Sequence, residues 1–125
     1  MIHDFKKWAL LAVRAAEEKK ALNPVMLDLR QASDIADYIG VFTAESSAQI
    51  RAIDEEIERT LKKAGARLLR RDGKATGRWL ALDYGGLVIH ILTPEAREFY
   101  RLEQLWEEAR PVAPKTKKMK TANRS

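Results

Sequence analysis

The chain has 125 residues, 46% of them hydrophobic, which suffices for one domain with a single core and excludes a disordered chain. It contains no cysteine, so disulfides, thiolate zinc sites and cysteine nucleophiles are excluded together. The formal charge is +5, yet five basic and no acidic residues lie from Lys115 onward, leaving residues 1–114 neutral with eighteen charges of each sign. A basic tail favours polyanions through counterion release and with little sequence preference. No apolar run approaches the ~20 residues of a membrane span, and no apolar stretch follows the charges of the first seven residues as in a signal peptide. The expectation is a cytoplasmic protein.

Residues 4–22 carry Phe5, Trp8, Leu11, Ala12, Ala15 and Leu22 at helical spacing, which predicts a helix, with Asp4 placed to cap it or to oppose its dipole at the start. Asn23-Pro24 is expected to end it, because the residue before proline is pushed out of the α region. Val25 to Arg30 and Asp37 to Thr43 read as strands, the second rich in β-branched and aromatic residues. Ser46 or Ser47 then caps a long helix to about Ala64, with Ile50, Ile53, Ile57, Leu61 and Ala64 on one stripe and Gly65 as its stop. Arg67 to Arg71 is a third predicted strand, and Asp72 to Gly77 a loop. Trp79 to Tyr84 and Leu87 to Leu92 are two strands around Gly85-Gly86, a pair suited to a two-residue hairpin turn. Thr93-Pro94 opens a last helix, expected to reach about Ala109. The order α-β-β-α-β-β-β-α predicts an α/β (α+β) fold, a single domain with a mixed five-stranded sheet packed by helices. The expected boundaries are a domain over residues 1–110 and a basic C-terminal tail over 111–125.

Chemistry-bearing residues are few. His3 lies near one end of the chain. His90 alternates with Ile89 and Ile91, so it points away from both. A two-residue turn pairs Asp83 with Val88 and Ala81 with His90, placing Trp79, Ala81, Asp83, Val88 and His90 on one face. Asp83 then lies diagonally from His90. The pair reads as a structural hydrogen bond rather than a catalytic dyad, since no serine or threonine on that face is available for activation. No zinc spacing or EF-hand loop is present, and Gly73 to Gly77 precedes a strand rather than a phosphate-binding helix terminus. Glu55-Glu56, Glu58 and Glu107-Glu108 read as solvated helix faces. In the C-terminal stretch, Phe99, Leu102 and Trp106 can share a helix face, while Tyr100 and Leu105 project elsewhere. Those two either pack under the first helix or form an exposed patch for a partner.

Asp28-Leu29-Arg30, Asp37-Tyr38, Trp79 to Gly85, Val88-Ile89-His90 and Arg97 to Trp106 occur in an order that resembles the ribosomal silencing factor (RsfS/Iojap) family, over about residues 5 to 109. The resemblance implies a nucleotidyltransferase-like core without the catalytic motif. It further implies a protein that binds the large ribosomal subunit through large-subunit ribosomal protein fourteen, blocks joining of the small subunit and represses translation. Organellar members act in large-subunit assembly, so a biogenesis factor is an alternative. The residues agree with the lack of catalysis. A nucleotidyltransferase requires a Gly-Ser turn and paired carboxylates for two metals, whereas Thr43-Ala44-Glu45-Ser46 follows the second strand and Arg30 stands two residues beyond Asp28. Two spots depart from the family's pattern: Thr43 to Ser46, where most members have a Ser-Gly-x-Ser-like turn, and Gly86, where most carry a second acidic residue. No catalytic residue, metal or cofactor is expected. The partner surface is expected at Trp79, Tyr100, Glu103 and Leu105, with Asp83 and Glu98 beside them, because carboxylates rimming an aromatic patch suit a basic ribosomal protein. Rival readings are an enzyme using Asp28, Asp83 and His90, and an RNA-binding module using the tail with Arg67, Arg70 and Arg71. Nonspecific ribosomal RNA contact by the tail and a homodimer off the ribosome remain open.

Overall fold

The computed structural model describes residues 3–31, 36–98, the backbone of 99–100 and that of 110–111. Helix α1 spans Phe5–Glu18 and is capped by Asp4, whose Oδ1 accepts from the Lys7 backbone N–H at 3.1 Å. It ends four residues before the expected Leu22. Lys20 adopts φ 64°, and the Ala21 N–H returns to the Ala16 carbonyl, closing the helix without a glycine. Strand β1, Leu22–Asp28, therefore starts earlier than expected and contains Asn23-Pro24. The ladder tolerates that proline because the register shifts between Leu22 and Val25, at an irregularity where no ladder N–H is required.

Strand β2 (Tyr38–Thr43) leads into α2 (Ser47–Lys63), with the Ser46 hydroxyl accepting from the Gln49 N–H. The side chain of Gln49 joins two helix ends: its Nε2 donates to the Lys19 and Lys20 carbonyls, and its Oε1 accepts from the Glu45 N–H. Strand β3 is Arg70–Gly73, shifted toward the C-terminus from the predicted 67–71. The cause is its pairing with β4 (Trp79–Asp83), which sets Arg70 opposite Asp83 and Gly73 opposite Leu80. Strand β5 is Leu87–Leu92 and helix α3 is Pro94–Tyr100. The expected continuation of α3 to Ala109 lies outside the described residues. Arg110–Pro111 forms a two-residue strand, β6, against β1. It straddles the expected boundary between domain and tail, while residues 112–125 lie outside the described residues.

The five expected strands, with β6 added at one edge, form a mixed sheet in the order β3-β4-β5-β2-β1-β6. Among the described residues only the central β2–β5 pair is parallel, and the other pairs are antiparallel. Alternation of side chains gives the sheet two unequal faces. Met26, Phe42, Leu80, Leu82, Ile89 and Ile91 are fully buried beneath α1 and α2, which supply Trp8, Ala12, Ile50, Ile53, Ile57 and Leu61. Trp8 also donates its indole N–H to the Ala64 carbonyl at 3.3 Å, joining α1 to the end of α2. On the opposite face, a smaller cluster of Val41, Leu92 and Ala96 seats α3, with Ile39 and Trp79 packed partly buried against it.

Candidate functional site

The second face of the sheet carries the side chains that the sequence singles out. Its geometry begins at the hairpin. Gly85 takes φ 99°, a conformation that L side chains rarely adopt, and the Tyr84 N–H donates to the Leu87 carbonyl at 2.8 Å. This fixes Ala81 opposite His90 and Asp83 opposite Val88, as predicted from Gly85-Gly86. Trp79, Ala81, Asp83, Val88 and His90 are all half-buried. Ile39 joins them from β2, opposite Val88.

The predicted Asp83–His90 pair is absent. Asp83 turns its Oδ1 to the Gly85 N–H at 2.8 Å, an Asx-type bond that braces the turn. His90 instead accepts, at Nδ1, the indole N–H of Trp79 at 2.9 Å, with ring centroids 5.5 Å apart. The register contains the cause: Ala81 is opposite His90, so Trp79 is its diagonal neighbour on the other side from Asp83. An indole N–H can only donate, and Nδ1 is the acceptor within reach. Burial holds His90 below the ordinary imidazole value. An imidazole that accepts at Nδ1 is neutral and carries its proton on Nε2. That Nε2–H has no partner among the described residues.

A second feature escaped the sequence reading. Arg97 on α3 is buried, and its guanidinium donates to the buried Thr43 hydroxyl at 2.8 Å and to the Asn23 carbonyl at 3.1 Å. It locks α3 across the ends of β1 and β2. Thr93 caps α3, its hydroxyl accepting from the Ala96 N–H at 3.2 Å, and Pro94 occupies the first turn. The signal was faint: Thr43 and Arg97 are far apart in sequence, and only the docking of α3 joins them.

Of the expected partner residues, the structure brings Trp79 and Asp83 onto one face, and it leaves Glu98 exposed on α3. The backbone of Tyr100 is the last residue of α3, while its side chain and the whole of Glu103 and Leu105 lie outside the described residues. The candidate enzymatic carboxylate, Asp28, is engaged by Arg30: Oδ2 accepts from Nη2 at 2.7 Å, and Oδ1 from Nε and the backbone N–H at 3.0 Å. Among the described residues no group of three or more His, Cys, Asp or Glu is arranged to hold a metal ion. No helix among them is long and apolar enough to cross a membrane.

Comparison with known proteins gives a consistent set of likenesses. The family described as "Ribosomal silencing factor during starvation" matches residues 3–125. The ribosomal silencing factor of Halalkalibacterium halodurans is 34% identical over 102 residues, covering 82% of this chain and 87% of that protein. The ribosomal silencing factor of Bacillus subtilis is 32% identical over 103 residues, covering 82% and 86%. Among solved structures, a crystal structure of a Chromobacterium violaceum protein aligns with a TM-score of 0.79 at 28% identity, covering 87% of this chain and 91% of its own.

Proposed function

The chain belongs to the ribosomal silencing factor family, and on that premise we propose that it binds the large ribosomal subunit through large-subunit ribosomal protein fourteen, blocks joining of the small subunit and so represses translation in the cytoplasm. The observation that carries the reading is the β4–β5 face: a Trp79 indole held by His90, with Val88 and Ile39 beside it and Asp83 at its end. A half-buried aromatic anchored by its own hydrogen bond is preorganised, so docking costs little side-chain entropy. Carboxylates at the rim, Asp83 and Glu98 with Glu103 from the sequence, suit a basic ribosomal protein. Tyr100 and Leu105 complete the patch in this reading. No catalytic step is involved in this reading, and the Asp28–Arg30 pair supports it, because Asp28 is turned to the guanidinium and backbone N–H of Arg30.

Sedimentation with isolated subunits at moderate salt tests it. The protein should travel with large subunits and not with small ones, and Trp79→Ala should weaken that binding by roughly thirtyfold, the loss of about 2 kcal/mol typical of a central aromatic anchor. Equal partition between the two subunits would refute the reading. A second reading, assembly of the large subunit, is favoured by a mouse relative named "Mitochondrial assembly of ribosomal large subunit protein 1", 33% identical over 73 residues, of which this chain spans 32%. It predicts accumulation of immature large subunits when the protein is depleted.

A further inference from the structure

The charges of this chain are segregated in a way that the aromatic face does not use. Residues 62–78 hold seven basic side chains and one acidic one, Asp72, whereas the rest of residues 1–114 holds eleven basic and seventeen acidic. The segment runs from the last turn of α2 through the edge strand β3 to the start of β4. Arg71 is taken up by Asp54 and Glu58 of α2, at 3.0 and 2.7 Å. Lys62 and Lys63 lie in the last turn of α2, where they complement the helix dipole. The remaining four, Arg67, Arg70, Lys74 and Arg78, have no such employment. All are exposed, and among the described residues the one ion pair they make is Arg70 with Asp72 at 3.4 Å, open to solvent on both sides.

Their placement is fixed. Gly73 takes φ 95°, and a Cβ there would collide with the Trp79 carbonyl, so the chain turns tightly after β3. The Gly77 N–H then donates to the Lys74 carbonyl at 2.9 Å, closing a turn over residues 74–77, and Arg78 follows directly, its carbonyl accepting from the Thr93 N–H at 3.0 Å. Leu69, 62% exposed, stands between Arg67 and Arg70. We infer that this edge is a docking surface for the phosphate backbone of RNA. Three of the four groups are guanidinium forks, which match phosphate oxygens bidentately. The acidic excess over the rest of the domain turns a polyanion toward this one edge. The inference rests on the proposed function only for which RNA is met, namely that of the large subunit beside the seat of the protein.

The test uses the full chain and a fluorescein-labelled RNA stem-loop, titrated at several salt concentrations between roughly 50 and 200 mM. The edge variant is Arg67→Gln/Arg70→Gln/Lys74→Gln/Arg78→Gln. The control, Lys115→Gln/Lys117→Gln/Lys118→Gln/Lys120→Gln, removes the same charge from the tail. The edge variant should bind at least tenfold more weakly at the middle of the range, with a log–log salt slope shallower by about three, as expected for four lost phosphate contacts. The tail control should lose less than threefold, and polyglutamate of equal charge should not compete. A loss that follows the tail, equal losses in both variants, or displacement by polyglutamate would overturn the inference. Naked RNA separates this from the function above: an edge variant that fails here while wild type still sediments with large subunits supports both, whereas wild type that ignores RNA and still sediments with them refutes only the edge.

Discussion

Trp79 and His90 form a donor–acceptor pair in which each ring sets the state of the other. Trp79→Phe keeps most of the apolar area and removes the N–H, leaving Nδ1 of His90 unsatisfied. It should cost about 1–2 kcal/mol in urea unfolding. Burial also lowers the affinity of His90 for a proton, and the sign of the resulting pH dependence follows. Between its lowered folded value and the ordinary value of about 6.5, the unfolded chain binds a proton that the folded chain does not. Stability contributed at neutral pH is therefore lost as pH falls below about 6.5. His90→Gln, whose side-chain oxygen can still accept from Trp79, should flatten that slope when melts at neutral and mildly acidic pH are compared with wild type. An unchanged slope would mean that His90 titrates alike in both states. Tyr84 presents the opposite case. Its hydroxyl is buried with no hydrogen-bond partner among the described residues, and burial, reinforced by the nearby Glu58 and Asp54 carboxylates, pushes its ionisation well above the ordinary phenol range. Tyr84→Phe removes an unpaired polar group and should leave stability unchanged or raise it by up to about 1 kcal/mol, readable as a shift in the urea midpoint.

At the scale of elements, the start of α1 depends on the hairpin turn. The Phe5 ring lies on Gly86, where an added Cβ would sit 2.5 Å from Cδ2. Gly86→Asp, the residue type that the family resemblance leads one to expect there, should therefore displace the ring and cost about 1–3 kcal/mol. In a Phe5→Ala background the same substitution should cost less, by at least ~0.5 kcal/mol in a double-mutant cycle. Equal costs in both backgrounds would show that the ring does not rest on the turn. The hairpin itself was legible in the sequence, because Gly85-Gly86 determines its register and the alternation of Trp79 to Asp83 with Val88 to His90 determines its face. So were the apolar stripe of α2 and a serine cap at Ser46 or Ser47, which the structure gives to Ser46. Other features depend on contacts that no local pattern records. Lys20 closes α1 in a conformation usually given to glycine, and Pro24 sits in a strand only because the β1–β2 ladder is irregular there. Strand β3 slides toward Gly73 to match β4, and Arg97 finds Thr43 only when α3 docks. Two side chains, Trp79 and Asp83, flank His90 diagonally, and register alone does not choose between them as its partner. Asp83 was drawn away by the Gly85 N–H of its own turn.

Among the described residues, one face of the sheet is closed by α1 and α2, and the other is partly covered by α3 at the Val41–Leu92–Ala96 cluster. That asymmetry leaves Trp79 and His90 half-buried, and this is the face proposed above as the partner surface. An exposed rim carboxylate such as Glu98 contributes little to stability and can be reversed without unfolding the domain, unlike Asp83, which braces the hairpin turn. In the function proposed here, this face holds the protein on the large subunit where it excludes the small one. The most direct measurement is subunit joining: large subunits preloaded with protein are mixed with small subunits, and the joined fraction is read by sedimentation. Wild type should suppress joining. Trp79→Ala and Glu103→Arg, each verified as folded by circular dichroism, should restore it. If both folded variants block joining as wild type does, the face is misassigned; if wild type leaves joining untouched, the anti-association function is contradicted.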